Sequence, residues 1–308
     1  MKAIIHIGTQ KTGTTTIQSF LAQNRASLST QGLRFEPFTP RNIAQMELGL
    51  AGIVRSGGVL EVPNKLYAMG VRGKASQGAY VDRLETKLRE GVQMWPEHTY
   101  IASSEQIHAW LASRKRIEAM HQFLTDIFTE VRYVVYYRPQ EDFMLSTYSE
   151  NIRRGEFGTL DDHINTLINR MNFNRRAQIW ASVVGRENLT VRLFDRKAML
   201  NGDLLDDFCS ATGIDRSPLE TPESQNLSLS AEEIDLRIEL GRRIPARLKT
   251  GHPNPLFHAL MAMKRRKLPK PGTRVQLSDQ QRTRIRTANA LSNEQMRAAF
   301  FPDRDTLF

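Results

Sequence analysis

The start of the chain decides the fold: KAIIHI (residues 2–7) is followed by GTQKTGTTT (residues 8–16). The first segment is an apolar run without a helical period, which predicts a buried β-strand. A polar glycine loop comes next, and apolar residues at helical spacing then predict a helix over residues 14–28. A strand that enters a helix through such a loop is the opening of a βα unit.

Further segments rich in β-branched and aromatic residues are predicted to be strands: HTYIAS (98–103), VRYVVYY (131–137) and NLTVRLF (188–194). Amphipathic spacing predicts helices at 46–54, 80–94, 114–129, 141–154, 161–169, 174–184, 203–212, 230–243, 254–267 and 278–300. Strands that alternate with helices favour an α/β fold, a three-layer sandwich with a central parallel sheet. We expect a single domain over residues 1–308, with an α/β core at 1–215 and a mostly helical extension at 216–308.

The composition is that of a soluble globular protein with a basic tilt. Lys and Arg number 43 and Asp and Glu 33, and the resulting net charge of +10 favours anionic partners. Thirteen of these cations lie within residues 241–286, where Asp279 is the one acid. No segment approaches the roughly 20 apolar residues of a membrane span. The one cysteine, Cys209, has no partner for a disulfide within the chain, which predicts a reducing, cytoplasmic setting.

The loop after the first strand has the features of a phosphate site. Backbone N–H groups around Gly8 and Gly13, followed by a helix N-terminus, form a cradle for phosphate oxygens. Lys11 adds a positive charge inside the loop. A nucleoside triphosphate loop has Lys directly after its second glycine, whereas this chain has Thr14 there. The cation is therefore placed differently over the phosphate.

Two more polar clusters follow predicted strands, at residues 103–105 and 138–146. Ligands of parallel sheets bind at the carboxyl ends of the strands, so we expect all three clusters at one rim. In the last cluster, Arg138 ends a strand and Ser146 follows eight residues later. A forked guanidinium and a hydroxyl together suit a second phosphate. The alternative is that Arg138 pairs with a carboxylate such as Glu141 or Asp142.

These motifs resemble those of bacterial members of the sulfotransferase family. The first loop is similar to the family's 5′-phosphosulfate loop, and the Arg and Ser pair to its 3′-phosphate segment. The terminal residues 292–308 also look like the C-terminal end of such proteins. The resemblance implies a P-loop-like fold and 3′-phosphoadenosine 5′-phosphosulfate as the sulfuryl donor, without a metal. It assigns donor binding to Lys11, Thr12, Gly13, Thr14, Thr15, Thr16, Arg138 and Ser146.

The acceptor hydroxyl needs a general base. Glu105 is the first choice, because carbohydrate sulfotransferases of similar layout place a Glu after this strand. His108 is the rival, since family members that act on phenols and steroids use a histidine. Lys11 would assist by stabilising the departing phosphate. The expected acceptor is a glycan or another hydroxylated compound, in a pocket shaped by residues 36–75 and 240–275.

Two other functions remain open on the sequence alone. A kinase or nucleotide hydrolase would need a magnesium-binding acid, for which Asp195 at the end of a predicted strand is a candidate. A non-catalytic protein that binds an anionic polymer would use the basic C-terminal helices. No nucleic-acid-binding motif occurs in the sequence, so we expect no nucleic-acid partner.

Overall fold

The computed structural model describes residues 1–39, 42–223, 229–248 and 252–308. Its sheet is built from β1 (Lys2–His6), β2 (Leu33–Phe35), β3 (Thr99–Ser103), β4 (Glu130–Tyr137) and β5 (Leu189–Leu193). The strands lie in the order β2-β3-β1-β4-β5, and every neighbouring pair is parallel. The central parallel sheet predicted from the sequence is confirmed, and the glycine loop leaves its middle strand.

Helices follow each strand. They are α1 (Thr14–Gln23), α2 (Arg25–Thr30), α3 (Glu47–Arg55), α4 (Pro63–Ala68), α5 (Ser76–Met94), α6 (Glu105–Trp110), α7 (Arg114–Thr125), α8 (Gln140–Arg154), α9 (Leu160–Leu167), α10 (Phe173–Val184), α11 (Leu204–Thr212), α12 (Ala231–Gly241), α13 (Pro255–Arg265) and α14 (Asp279–Phe300). No helix formed by the described residues is long and apolar enough to cross a bilayer.

Alternate residues of the strands pack against helices on opposite faces of the sheet, as the pleat requires. On one face, Val134 and Tyr136 of β4 join a buried apolar cluster with residues of α1, α2 and α11. On the other face, Tyr133 contacts Trp180 of α10 and Tyr137 contacts Phe173 of the same helix. The sheet is therefore the middle of three layers, as predicted.

The chain divides into two compact units. The first contains residues 1–138 and 173–224 and includes the whole sheet. The second contains residues 139–172 and 225–307 and is helical. Within the second unit, Ile152 of α8 packs with Ile234 of α12, and Phe257 and Met261 of α13 pack with Leu240.

The predicted helix over residues 14–28 is wrong in one respect, because it is interrupted at Asn24. The Asn24 side-chain amide donates to the carbonyl of Phe20 at 2.9 Å and also to that of Glu220 at 2.9 Å, and its side-chain oxygen accepts from Glu220 N–H at 2.8 Å. These bonds to a distant segment hold Asn24 at the junction where α1 ends and α2 begins. The sequence analysis also missed β2, α4 and α6, which have three to six residues each and are too short to show a period.

Candidate active site

The loop between β1 and α1 is held in shape by hydrogen bonds within the loop and to β4. Thr9 donates from its N–H and its hydroxyl to the carbonyl of Tyr136, each at 3.0 Å. The hydroxyl of Thr12 is fully buried and donates to the carbonyl of Thr9 at 2.7 Å. The Thr12 side chain therefore shapes the loop, and only its backbone remains to face a ligand.

Two glycines let the loop approach its neighbours. Gly8 has a φ of 106°, and a Cβ added there would lie 2.9 Å from the Cα of Glu105. Gly13 has a φ of 74°, and a Cβ there would collide with Leu204 and lie 3.1 Å from the Phe194 ring. Both positions combine a left-handed backbone with close packing, which is why glycine is required.

The N-terminus of α1 is open to an anion. Gly13 is its N-cap, no side chain caps the helix, and its first turn contains no acid. Its first backbone N–H groups have no partner within a helix, and the helix dipole favours negative charge there. Thr14 is buried, whereas Thr15 and Thr16 are exposed. This arrangement fits phosphate oxygens bound by backbone N–H groups and threonine hydroxyls.

Two cations belong to this loop region. Lys11 is half-buried and has a φ of 62°. Arg138 follows β4 directly, and its Nη1 donates to the carbonyl of Lys11 at 3.0 Å. The Arg138 guanidinium also lies 5.3 Å from the centre of the Phe194 ring, at cation–π distance. The structure thus holds a forked cation against the loop, oriented by an aromatic ring.

Glu105 begins α6 directly beside the loop, and both of its carboxylate oxygens accept from amides. Gln18 Nε2 donates to Oε2 at 3.1 Å, and Gln106 Nε2 donates to Oε1 at 2.8 Å. The orientation of each amide is set by another bond: Gln18 Nε2 also donates to the carbonyl of Ser103, at 3.4 Å, and Gln106 Oε1 accepts from Ser104 Oγ at 2.9 Å. Both oxygens of the Glu105 carboxyl are therefore held by amide donors from two helices.

Ser103, at the end of β3, holds the base of this arrangement in place. Its backbone N–H donates to Gln45 Oε1 at 2.9 Å, and its carbonyl accepts from Gln45 N–H at 3.1 Å. Its hydroxyl bonds to His6 Nδ1 at 2.8 Å. Burial lowers the pKa of His6 to about 3, so His6 is a neutral core residue. Gln45, in the segment before α3, and His6 of β1 therefore both fix Ser103, two residues before Glu105.

His108 lies one turn after Glu105 in α6. Its Nε2 is 3.2 Å from the hydroxyl of Tyr137, and its carbonyl accepts from the Arg176 guanidinium. Burial, and then the charge of Arg176, hold the pKa of His108 well below its usual value. The imidazole of His108 is therefore neutral at neutral pH, and the choice of Glu105 over His108 as the base stays a prediction.

Comparison with known proteins adds little at the level of sequence, because no protein-family model and no curated protein matches the chain. Several solved structures do match. One is a sulfotransferase. It comes from Alicyclobacillus acidocaldarius and is 14% identical in sequence to this chain. The match covers 80% of this chain and 97% of that protein, with a TM-score of 0.44.

Two other residues singled out in the sequence lie apart from the loop's hydrogen bonds. Ser146 is a half-buried residue of α8 in the second unit, so its assignment to a 3′-phosphate stays a prediction. Asp195 follows β5 and its carboxylate accepts from the backbone N–H of Lys197 at 3.1 Å, which closes a local turn. No cluster of three or more His, Cys, Asp or Glu suited to a metal occurs within residues 1–39, 42–223, 229–248 and 252–308.

Sequence reasoning missed three residues of the arrangement: Gln18, Gln106 and Phe194. Gln18 left a usable signal, because it lies on the apolar face of α1 with Ile17 and Leu21 and is 5% exposed. A buried polar residue needs a hydrogen-bond partner, which points to a function for its amide. Phe194 carries no such signal, since its contact with Arg138 arises only when the ends of β4 and β5 meet. Gln106 bonds only to its neighbours Ser104 and Glu105, and an amide beside an acid at a helix start has no distinctive pattern in the sequence.

Proposed function

We propose that the protein is a sulfotransferase that moves a sulfuryl group from 3′-phosphoadenosine 5′-phosphosulfate to a hydroxyl of an acceptor. One observation carries the proposal: the phosphate-binding type of loop and a carboxylate held by two N–H donors are in backbone contact, at Gly8 and Glu105. A group-transfer enzyme that activates a hydroxyl needs this pairing, whereas a protein that only binds polyanions does not.

The donor would be held mainly by the loop and α1. The N–H groups at the start of α1, with Thr14, Thr15 and Thr16, would bind the 5′-phosphate, beside the backbone of Thr12 and Gly13. Lys11 would neutralise the charge that grows on the bridging oxygen as the sulfate bond breaks. Arg138 and Ser146 would bind the 3′-phosphate, and for Ser146 the support is the sequence motif. The bound donor supplies the sulfuryl group, and no metal is needed in this scheme.

Glu105 would accept the proton of the attacking hydroxyl. The amides of Gln18 and Gln106 keep both carboxylate oxygens in fixed positions, so the base is oriented before an acceptor arrives. Removal of the proton makes the acceptor oxygen a better nucleophile, and the proton leaves with Glu105. This role and that of Lys11 are complementary, because one group receives the proton while the other stabilises the leaving phosphate.

The acceptor we propose is a glycan or another hydroxylated compound, and the setting is the bacterial cytoplasm. A cavity of about 440 Å³ lies within the segment expected to shape the acceptor pocket, lined among others by Leu60, Leu66, Tyr67 and Arg72. Tyr67 is exposed, and Arg72 lines the same cavity. A ring-shaped acceptor with an anionic substituent would suit such a lining.

The deciding experiment is a thermal-shift titration with adenosine 3′,5′-bisphosphate, adenosine diphosphate and magnesium-adenosine triphosphate in parallel. A ligand at 100 times its Kd stabilises the folded state by about 2.7 kcal/mol. We expect selective stabilisation by the bisphosphate and its loss in Arg138→Ala, since hydrogen bonds from a charged donor are worth about 1.5–3 kcal/mol. Arg196→Ala, an exposed arginine after β5, is the matched control. Stabilisation by magnesium-adenosine triphosphate alone would instead support the kinase alternative.

A further inference from the structure

Helix α13 of the second unit has an apolar surface that faces solvent. Leu256 and Met263 are each 57% exposed. They are seven residues apart, two helical turns, so they lie on the same side of the helix. Leu260 lies between them and is partly buried, while Phe257 and Met261 fill the core of the unit. The helix therefore has one apolar face for the core and a second one that extends into solvent.

The same helix ends in a cluster of cations. Residues 264–267 read KRRK, Lys270 follows, and the segment 252–274 contains no acid. Arg265 pairs with Glu233 at 3.2 Å. Within the part of the chain that the structure describes, the remaining members of the cluster form no ion pair: Lys264, Arg266, Lys267 and Lys270. Their charges are thus available to a partner.

Two acids of α12 that contact this segment are already engaged. Glu233 is shared by Arg237, at 2.9 Å, and Arg265. Glu232 accepts from the backbone N–H of Thr273 at 3.0 Å. Hydrogen bonds, first of all with the Thr273 side chain, lower the pKa of Glu232 to about 2. Neither carboxylate neutralises the four unpaired cations. The surface is therefore both apolar and positively charged.

We propose that α13 and the cationic residues 264–270 dock on an anionic lipid bilayer. Exposed Leu and Met side chains enter the interface, and Lys and Arg bind the headgroup phosphates, which is the pattern of an interfacial amphipathic helix. A polyanion such as nucleic acid offers charge but no apolar phase for Leu256 and Met263. An 11-residue helix is about 16 Å long and cannot span the roughly 30 Å hydrocarbon core, so it lies flat. This inference does not depend on the proposed enzymatic function.

The test is sedimentation of the full chain with vesicles of phosphatidylcholine alone or with 30% phosphatidylglycerol (about one anionic lipid in three). We expect binding to the anionic vesicles only, about tenfold weaker in Leu256→Ser/Met263→Ser and weaker still when Lys264, Arg266, Lys267 and Lys270 are changed to Gln. Leu291→Ser, at a leucine 73% exposed on α14, is the apolar control. Arg83→Gln/Lys87→Gln/Lys115→Gln/Arg196→Gln removes four exposed charges from the first unit and is the charge control.

Each outcome decides the proposal. Retained binding in both control variants, with loss in both α13 variants, supports it. Absence of binding to anionic vesicles overturns it. An equal loss of vesicle binding in the α13 charge variant and in the charge control also overturns it, since the net charge of the protein would then be the cause. If the Leu256→Ser/Met263→Ser variant binds vesicles normally and the chain binds heparin with the same salt dependence, the surface is a polyanion site instead. Far-UV circular dichroism confirms that each variant is folded.

Discussion

The helix starts of this protein differ in how they satisfy their first N–H groups. At α14, Gln281 N–H donates to Ser278 Oγ at 3.2 Å and Ser278 N–H donates to Gln281 Oε1 at 2.9 Å, a complete capping box. At α1, Gly13 occupies the same position and no side chain serves as a cap. The start of α14 is thus capped by side chains of the helix region itself, whereas the start of α1 has no side-chain cap. An open start beside Arg138 is what anion binding requires.

The start of α6 differs again, because its first residue carries an acid whose oxygens accept from Gln18 and Gln106 side chains. We expect Glu105→Gln to lower kcat by about 10²–10⁴-fold, the usual contribution of a general base, with the Kd for adenosine 3′,5′-bisphosphate unchanged. Single-turnover sulfate transfer and calorimetric binding would measure the two effects. Full activity in this variant would show that Glu105 is not the base.

Gln18 joins the two site helices, so its loss should affect catalysis more than donor binding. We expect Gln18→Leu to lower kcat about tenfold, the value of one hydrogen bond to a charged group, while the donor Kd stays the same. Gln18→Asn keeps the amide on a side chain that is shorter by one methylene. This variant should recover part of the rate only if the position of the amide beside Glu105, and not the burial of residue 18, sets kcat. An equal rise in donor Kd in both variants would mean that Gln18 serves the fold of α1.

The start of α3 contains a buried acid, Glu47, whose two carboxylate oxygens have no hydrogen bond within the described residues. Burial raises the pKa of Glu47 from 4.5 to about 7. A group whose pKa is raised on folding loses its stabilising contribution as pH rises through the folded value. Glu47→Gln should therefore gain stability over wild type between pH 4.5 and 8, by up to roughly 3 kcal/mol.

Urea unfolding at pH 5 and pH 8 measures this difference. Glu90→Gln, at an exposed carboxyl of α5, is the matched control for the loss of one carboxylate at the surface. If Glu47→Gln were equally stable relative to wild type at both pH values, the carboxyl of Glu47 would not be held protonated by its surroundings.

The smallest effects come from exchanging the two kinds of helix start. Ser278→Ala removes the cap of α14 and should cost about 1 kcal/mol of stability without changing bisphosphate binding. Thr15→Glu places an acid in the first turn of α1 and should raise stability by about 0.3–1 kcal/mol while weakening bisphosphate binding by repulsion. Melting temperature and Kd for each variant test both. Tighter bisphosphate binding in Thr15→Glu would argue against a phosphate at α1.

The sequence was sufficient for those parts of the fold in which a regular apolar spacing continues over many residues. The four long strands, the parallel sheet and most helices follow from apolar spacing, and the glycine loop follows from residues 8–16. The sequence could not show that Gln18 reaches Glu105, because the two residues are 87 positions apart and meet only through the β1–β3 pairing. It also could not show that the Thr12 hydroxyl donates to the carbonyl of Thr9 within the loop.

Helix α1 carries the open N–H groups at its first turn and the amide that holds Glu105 one turn later. Any shift of this short helix when a phosphate settles on its N-terminus is transmitted over a few ångströms to the carboxylate. Anion binding at the start of α1 and proton transfer at Glu105 would then be coupled through one helix, so that a change at either end would be felt at the other.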